Sequence, residues 1–524
     1  MRAAVYNRFW HSRGGGERHA GMIAQVLSLP VSEGGCGVEE VELLGHTEQD
    51  LADLGAHLGL NLTRCRYRLL PDRGDAALAE VSEEYDFWLT ASYMSRLAPR
   101  ATRSAYLCWF PTPFDHDLAT WRRTLVRLVG PALRGDRSVT FGSGWYPPEG
   151  GRRRRWVWTS GDGVLAVPPG QNRRLRADLG RPGAPGSTAL RVEDLSGRVL
   201  HSLPVEPRFR RHSLNLGSSV RGSEIRFRSD AFSPAAQPGQ PDDIRELGVA
   251  LSRAWLRTDK ASLRAWASAR FPWLARDPKD LAFLDAYDGV LANSEYTREW
   301  IRRLWSRETD VLYPPIDVSR LTPTAERGRT VLTVGRFFAP GLGHAKRQLE
   351  MVGWFGDLAR SGRLPGWTLH VVGGCEDSQL PYLEQVRRAA EGLPVELHPN
   401  ASRGEVAELL STASVFWSAT GYGESAKHPW AAEHFGMTTV EAMAGGCVPV
   451  VIDRAGQKEI VRPDVDGYRW DSPAELLEAT VRVGTDEALR ARLSTSAQQR
   501  AQAFSDEAFA QRWVGIADRR ALLG

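Results

Sequence analysis

The sequence lacks long hydrophobic runs: no window approaches the ~18–20 apolar residues that a membrane-spanning helix requires. Residues 1–6 begin a strand pattern, and no apolar stretch of the signal-peptide type follows them. The 524 residues include only 5 cysteines, which are scattered without disulfide or metal-binding spacing. These absences predict an intracellular protein with free thiols, located in the cytoplasm.

The sequence also lacks a strong net charge, since the formal value is +4 over 524 residues. A total this small does not indicate a nucleic-acid partner. Arginines cluster at 152–155 and 208–211. Such clusters are typical of solvated turns, but they would also allow peripheral contact with the anionic inner face of a membrane.

A chain of 524 residues is long enough for several domains. In its first part, short apolar runs alternate with helical periodicity, which predicts a parallel sheet covered by helices. The predicted strands span 3–6, 38–44, 65–70, 87–91 and 105–110. A second α/β domain begins near residue 330, after the break at Pro314 and Pro315, and its strands include 330–334, 368–372, 395–398, 414–417 and 448–452.

Between residues 138 and 257 the helical periodicity disappears. Short alternating runs separated by Gly and Pro clusters replace it, which predicts an inserted β-sandwich. Four aromatic residues there, Trp145, Tyr146, Trp156 and Trp158, suit either a sugar-stacking surface or core packing. The predicted domains are therefore 1–137 with 258–315, the insertion at 138–257, a second α/β domain at 316–505, and a helix at 506–524 that crosses back to the first domain.

The segment 433–451 carries the strongest chemical signal. Glu433 lies at a loop–helix junction beside Gly436, and Glu441 lies inside the helix that follows. A glycine-containing loop that opens a helix presents unpaired N–H groups and a partial positive charge to a phosphate. Carboxylates on either side accept hydrogen bonds from sugar hydroxyls. The pattern predicts a nucleotide-sugar site.

Two further elements suit the same ligand. Arg336 follows the strand that opens the second α/β domain, and Lys346 comes ten residues later, so both can neutralise a diphosphate. Near the amino terminus, a glycine loop at 14–16 follows the first strand and precedes a helix. It lacks the G-x-G-x-x-G fingerprint, so a dinucleotide fold is not indicated.

Taken in order, these motifs resemble the retaining glycosyltransferases of family 4. The resemblance rests on Gly14-Gly15-Gly16-Glu17, on Gly335-Arg336 with Lys346, and on Glu433 and Glu441 around Phe435-Gly436. It covers all of the chain except the insertion. It implies a GT-B fold: two Rossmann-like domains facing across a cleft, here with an all-β sandwich inserted in the N-terminal domain. The stretch 313–317, Tyr-Pro-Pro-Ile-Asp, is most similar to enzymes that use GDP-mannose.

The resemblance also implies roles for individual residues. Arg336 and Lys346 would hold the donor diphosphate, Glu441 the ribose hydroxyls, and Glu433 the transferred sugar. The remaining donor-binding residues would act through backbone groups or close approach: Gly15, Gly16, Phe435, Gly436, Met437 and Thr438. Family members often have a histidine at the end of a first-domain strand. Here that loop reads Trp-Phe-Pro-Thr at 109–112, which leaves His116 as the candidate.

The expected reaction moves a hexose, with retention, from a nucleotide-diphosphate sugar to a glycan, lipid-linked or small-molecule hydroxyl. No metal or cofactor is predicted, because no metal-ligand spacing is present. Two alternatives remain open: a GT-B epimerase or phosphorylase acting on similar donors, and a non-catalytic carbohydrate-binding protein. The insertion adjoins the acceptor-side domain, so it is predicted to extend acceptor recognition.

Overall fold

The computed structural model describes residues 1–72, 74–111, 139–146, 149–151, 154–167, 173–194, 196–217, 224–234, 245–257, 281–339, 345–425 and 428–523. Structural statements concern these residues, and elements are numbered among them in chain order. Residues 258–280 of the predicted first domain lie outside the described ranges.

Strands and helices alternate through the first part of the chain. The strands are β1 (Arg2–Tyr6), β2 (Glu40–Gly45), β3 (Cys65–Leu69), β4 (Phe87–Thr90) and β5 (Arg103–Cys108). The helices are α1 (Gly15–Ser28), α2 (Leu51–Leu58) and α3 (Asp75–Ser82). Helix α2 illustrates the local signals: the Asp50 carboxylate accepts from two backbone N–H groups at its start, and Gly59, at φ +67°, ends it.

The inserted segment folds as two antiparallel five-stranded sheets. Its strands are β6 (Thr140–Phe141), β7 (Glu149–Gly151), β8 (Arg154–Trp158), β9 (Asp162–Ala166), β10 (Arg173–Gly180), β11 (Thr188–Asp194), β12 (Val199–Val205), β13 (Arg210–Gly217), β14 (Glu224–Arg228) and β15 (Ala250–Arg257). One sheet has the order β13-β10-β15-β8-β7, and the other β12-β11-β14-β9-β6. Alternate residues such as Leu175 and Leu190 point from the two sheets into one shared core.

The aromatic residues of the insertion pack inside it. Trp145, Tyr146 and Trp158 are 6%, 2% and 3% exposed. Trp145 meets Phe227 edge-on, and Tyr146 and Trp158 share a small apolar cluster. The sugar-stacking interpretation of these three side chains is therefore wrong, because folding the two sheets together buries them. Trp156 is half-buried.

The chain then completes the first sheet with β16 (Gly289–Ala292), α4 (Glu295–Trp305) and β17 (Asp310–Val311). The strand order is β17-β16-β5-β4-β1-β2-β3, and all of these strands are parallel. Helix α4 is capped by Ser294, whose hydroxyl accepts from the Thr297 N–H at 3.0 Å.

The second α/β domain has a six-stranded parallel sheet with the order β20-β19-β18-β21-β22-β23. The strands are β18 (Thr330–Val334), β19 (Thr368–Gly373), β20 (Val395–Pro399), β21 (Val415–Ser418), β22 (Val448–Ile452) and β23 (Tyr468–Trp470). The helices are α5 (Gln348–Arg360), α6 (Leu380–Ala390), α7 (Arg403–Thr412), α8 (Met437–Ala444), α9 (Gln457–Ile460), α10 (Pro473–Thr485), α11 (Glu487–Ala501) and α12 (Asp506–Arg519). In each parallel sheet, the order in which the strands are added changes direction at the first strand, β1 or β18. Ligands bind at this position in open α/β folds.

The chain passes between the domains twice, and the two passages lie side by side. Ile316 forms a parallel bridge with Ser505, and its N–H donates to the Phe504 carbonyl at 3.0 Å. Helix α12 then packs in the core of the N-terminal domain, where Phe509 and Trp513 join the apolar side chains of α1. The C-terminal helix therefore fastens one domain to the other.

Two further features bear on the chain as a whole. Among the described residues, no helix combines the length and apolar character needed to cross a bilayer. All five cysteines lie within the described ranges and are free thiols.

Candidate active site

The loop before α8 is shaped by Gly436, whose φ of +119° is a conformation that side chains disfavour. A Cβ at this position would lie 2.8 Å from the Gln457 side-chain nitrogen. The Phe435 ring is buried in the core beside Tyr313, so Phe435 can face a ligand only through its backbone. The loop thereby turns its peptide groups and the start of α8 towards the cleft.

Lys346 and Glu433 form an ion pair at the carboxyl end of the second sheet. Their side chains are 23% and 19% exposed. Together they line a pocket whose other walls come from β18, β21 and α8: Thr333, Val334, Trp417, Ser418, Ala419, Thr420 and Thr438. An ammonium and a carboxylate thus lie side by side in a recess that the first turn of α8 also reaches.

Arg336 follows β18, two of whose residues line this recess. Its guanidinium carbon lies 4.8 Å from the centre of the Phe338 ring, and the residue is exposed. Gln348 holds the turn beneath it by donating to the carbonyls of Gly335 and Arg336, each at 3.0 Å. A fixed backbone under a solvent-facing guanidinium suits an Arg that grips two oxygens of an incoming anion.

The glycine loop of the N-terminal domain meets this site from the opposite side of the cleft. Gly15 is the first residue of α1, and a Cβ there would lie 2.5 Å from the sulfur of Met437, the first residue of α8. The next glycine, Gly16, lies against the Trp109 ring, which would be 3.5 Å from its Cβ. Glycine at position 15 therefore permits the two helix starts to approach each other.

Buried Glu17 holds the loop in place. Its carboxylate accepts from the Gly14 N–H at 2.8 Å, the Ser12 hydroxyl at 2.7 Å and the Asn7 amide at 3.2 Å. The sequence pattern included Glu17 without showing this positioning role. With the loop held this way, the first residues of α1 and α8 lie next to each other, and each helix end contributes roughly half a positive charge. Two such ends, together with Arg336 and Lys346, would suit a multiply charged anion.

Glu441 lies in the second turn of α8. Burial raises the pKa of its carboxyl, and the nearby Arg18 and Arg403 lower that pKa by less. Arg403 also spans the cleft, since its guanidinium donates to the carbonyls of Ala56 and His57 in the N-terminal domain. A partly buried carboxylate between two guanidiniums is placed to accept hydrogen bonds from neighbouring hydroxyls.

Aromatic rings occupy the N-terminal-domain loop where a histidine was expected. His116 lies outside the described residues, so its role stays a prediction. Phe110 stacks against His434 from the opposite domain, with ring centres 4.1 Å apart at 11°. His19 lies between Trp109 and Phe509, and burial lowers its pKa to about 3. His19 is therefore neutral at physiological pH. The sequence reasoning missed the His434–Phe110 contact, because only the folded chain brings these distant residues together.

A second contact that the sequence did not reveal joins the domains beside the cleft. The Glu459 carboxylate of α9 accepts from the backbone N–H groups of Glu295 and Tyr296, at 2.8 and 2.6 Å. These N–H groups open α4 in the N-terminal domain, so a residue of one domain caps a helix of the other. The Tyr296 hydroxyl also donates to the Pro429 carbonyl at 3.0 Å. His428, just before it, contacts the Trp430 ring.

Comparison with known proteins relates part of the sequence, and the fold of the whole chain, to proteins already described. Residues 322–500, which hold Arg336, Lys346, Glu433 and Glu441, match the family model "Glycosyl transferases group 1". Over the whole chain, the structure resembles Anabaena HepE in complex with UDP and glucose, at a TM-score of 0.51 and 11% identity, covering 99% of this chain and 100% of HepE. A glycosyltransferase from Rickettsia africae covers 100% of both chains, at a TM-score of 0.50 and 9% identity.

These findings give the chain a GT-B fold and a segment, residues 322–500, that matches the glycosyl transferases group 1 family. The predicted fold class is confirmed. Among curated proteins, the human GDP-Man:Man(3)GlcNAc(2)-PP-Dol alpha-1,2-mannosyltransferase is 29% identical over 244 residues, or 42% of this chain and 46% of the human protein. The Dictyostelium discoideum protein of the same name is 29% identical over 207 residues, 36% of this chain and 39% of that protein. The chain thus matches less than half the length of these relatives.

Proposed function

We propose that this protein is a retaining glycosyltransferase that moves a hexose from a nucleotide-diphosphate sugar to a hydroxyl of a glycan. The observation that supports the proposal most strongly is the Lys346–Glu433 ion pair in the recess at the start of α8. In a nucleotide-diphosphate sugar, the phosphate and the sugar are joined directly. A cation for the phosphate and a carboxylate for the sugar hydroxyls would therefore have to be adjacent, as Lys346 and Glu433 are.

In the proposed reaction, the bond between the sugar and the diphosphate breaks, and negative charge grows on the leaving phosphate. The acceptor oxygen forms a bond to the same sugar carbon, and its proton passes to the leaving phosphate. Lys346, Arg336 and the N–H groups at the start of α8 would stabilise that charge. A single donor of this kind contributes roughly 10²–10³-fold in rate. Positive charge develops on the sugar ring at the same time, and the Glu433 carboxylate would stabilise it while binding the sugar hydroxyls.

The ion pair also explains how such a site can exist before the donor binds. The side chains of Lys346 and Glu433 are each about four-fifths buried. They neutralise each other, so neither is an isolated charge in the recess. A donor would exchange this pairing for two others: Lys346 with phosphate, and Glu433 with hydroxyls. The partners change while the charge balance is kept.

GDP-mannose is the donor we favour. Its support comes from the named activity of the human and Dictyostelium relatives, and from the Tyr-Pro-Pro-Ile-Asp stretch at 313–317. Those names also include a dolichol-linked oligosaccharide, so a lipid-linked glycan is the acceptor we favour. Peripheral contact with a membrane would follow from such an acceptor, and the arginine cluster at 208–211 would face anionic lipid.

The insertion would contribute on the acceptor side. It contacts the loop after β1, where the guanidinium of Arg8 lies 5.3 Å from the centre of the Tyr146 ring. The same loop leads into the glycine turn at Gly15. We propose that the insertion extends acceptor binding at this rim of the cleft. The transfer itself needs no metal ion in this proposal, because cationic side chains and helix ends hold the diphosphate.

A binding screen tests the donor proposal. Thermal unfolding of the purified protein would be followed with GDP-mannose, UDP-glucose and dTDP-glucose at equal concentrations. A ligand at 100 times its Kd stabilises the folded state by about 2.7 kcal/mol, so GDP-mannose should raise the transition temperature most. A larger shift with UDP-glucose would reject the donor nucleotide but keep the class. No shift with any donor would contradict the proposal.

Product analysis then separates the enzyme classes. A transferase should hydrolyse the donor slowly without acceptor and form a glycoside rapidly with one. An epimerase would interconvert nucleotide sugars with no acceptor present, and a phosphorylase would require inorganic phosphate. A carbohydrate-binding protein would bind glycan with no turnover.

A further inference from the structure

A cluster of histidines and carboxylates lies on the second sheet, apart from the residues assigned to the donor. His370 is on β19, and Glu396 and His398 are on β20, the edge strand of the sheet. His370 is paired in register with Glu396, and Val372 with His398. Because side chains alternate along a strand, the three side chains project from one face.

Their ligating atoms converge. His370 Nδ1 lies 3.0 Å from His398 Nε2, and the Glu396 carboxylate lies 3.7 Å from the first nitrogen and 4.0 Å from the second. All three atoms lie within 4.8 Å of one another. Two ligands 2.05 Å from a tetrahedral Zn²⁺ ion are about 3.3 Å apart, so small side-chain adjustments would place all three atoms around one ion.

A fourth residue orients one of the rings. His398 Nδ1 lies 2.8 Å from a carboxylate oxygen of Glu405, in the first turn of α7. A carboxylate accepts only, so Nδ1 carries the proton, and the lone pair of the neutral ring is on Nε2, the atom that faces His370 and Glu396. A carboxylate that fixes the outer nitrogen of a metal-binding histidine is a recurrent feature of zinc sites.

We propose that His370, His398 and Glu396 bind one divalent first-row transition ion, with Zn²⁺ the best fit, and that Glu405 positions His398. The two rings are mostly covered, with side chains 13% and 18% exposed, whereas Glu396 is 62% exposed. The site therefore opens to solvent on the Glu396 side, where water can take the fourth position. This donor set, two imidazoles and one carboxylate, is one that zinc accepts.

The position of the site suggests what the ion does. Glu405 follows Arg403 by two residues on α7, and Arg403 contacts the N-terminal domain through the carbonyls of Ala56 and His57. An ion bound at β19 and β20 would hold the first turn of α7 against the sheet through His398 and Glu405. It would thus stabilise the helix that contacts the opposite domain, without taking part in sugar transfer. The proposed ion site does not depend on which nucleotide sugar the protein binds.

Calorimetric titration of the untagged full-length protein with Zn²⁺, after treatment with a chelator and its removal, tests the site. One equivalent should bind and raise the thermal transition. His370→Ala and His398→Ala should abolish this stoichiometric binding. Glu405→Gln should weaken it by about 10–100-fold, the usual effect of losing such a partner. His201→Ala, which removes an exposed ring in the insertion, is the matched control and should bind as the parent does.

Two outcomes would overturn the proposal. One is the absence of stoichiometric Zn²⁺ binding to the parent protein, which would leave the rings as a hydrogen-bonded pair. The other is unchanged binding in the double variant His370→Ala/His398→Ala, which would locate the ion elsewhere. Glu396→Gln keeps a test available if the histidine variants do not fold, because it changes one exposed carboxylate. It should weaken binding at least tenfold, and the d–d absorption of bound Co²⁺ should change with it.

Discussion

Lys346 and Glu433 form an ion pair. In the proposed complex, the bond between the sugar and the diphosphate of the donor would lie beside this pair. Removing one leaves a charge in a largely covered recess and also removes one contact to the transition state. The pair therefore offers the most direct test of the site at the scale of single residues.

Glu433→Ala and Lys346→Ala should each lower kcat by roughly 10²-fold or more, the effect of losing one strong transition-state contact. Initial rates at saturating donor would measure this. Arg363→Ala is the control, because Arg363 lies between α5 and β19 and pairs with the exposed Glu478 of α10 at 2.6 Å, and neither residue lines the recess. Near-parental turnover in either site variant would contradict the assignment.

Glu441 gives a prediction for stability against pH. Its pKa is raised above 4.5 by burial, so between pH 4.5 and the raised pKa the folded state binds a proton that the unfolded chain has lost. Its contribution to the free energy of unfolding therefore falls as pH rises through that window, and it stays low at neutral pH. Glu441→Gln should be more stable than the parent at pH 7, and the gain should shrink below pH 4.5.

Urea unfolding of both proteins across this pH range would measure the difference. The same variant should bind the donor less tightly, since an amide is a poorer acceptor for ribose hydroxyls. Higher stability and weaker donor binding in the same variant would together show that Glu441 serves donor binding at a cost in stability. A loss of stability at pH 7 would show that the contacts with Arg18 and Arg403 outweigh burial.

At the scale of elements, the site depends on two helices that begin opposite each other. The Gly15 backbone and the Met437 side chain meet where α1 and α8 start. Any side chain at position 15 would push the helices apart, and the N–H groups of both would move away from a shared phosphate.

Gly15→Ala should therefore lower turnover by roughly tenfold or more, since a shift of about 1 Å at a reacting centre can cost 10²-fold. Adding Met437→Ala should recover part of the loss, because it removes the sulfur that the new methyl group would strike. Gly353→Ala is the control: no heavy atom lies within 4 Å of its added Cβ, so it should keep full activity. Equal loss in the single and double variants would reject this steric explanation.

At the scale of the whole molecule, Arg18 connects the domains. Its guanidinium donates to the Pro315 carbonyl at 2.6 Å and to both carboxylate oxygens of Asp506, at 2.9 and 2.7 Å. Pro315 lies in the first passage between the domains, and Asp506 begins α12, which returns after the second. One side chain of α1 therefore holds both passages together.

Arg18→Ala should reduce the free energy of unfolding by roughly 3 kcal/mol, as expected when one partner of a mostly buried ion pair is removed. Denaturant unfolding would measure the loss. Arg13→Ala is the matched control, because Arg13 pairs with the exposed Asp53 and should cost about 0–1 kcal/mol. A similar small effect in both variants would show that the passages are held by other contacts.

Much of this protein is readable from local patterns. Hydrophobic periodicity located the strands of both parallel sheets, because the spacing of buried side chains depends only on neighbours in the chain. The end of a strand then located Arg336, with Lys346 ten residues later, and the start of a helix located Glu433, since both signals are local. The Gly436 turn was equally local, as its backbone conformation excludes other residues.

Tertiary structure alone decided which of these residues meet. The Lys346–Glu433 pair, the contact between Gly15 and Met437, and the stacking of His434 on Phe110 join segments far apart in sequence. Folding the two inserted sheets together buried Trp145, Tyr146 and Trp158, which by residue type suited either a sugar-binding surface or a core. His370 and His398 have no metal-binding spacing in the chain, and only the adjacency of β19 and β20 brings them together. Local sequence determined the elements, and long-range packing determined their chemistry.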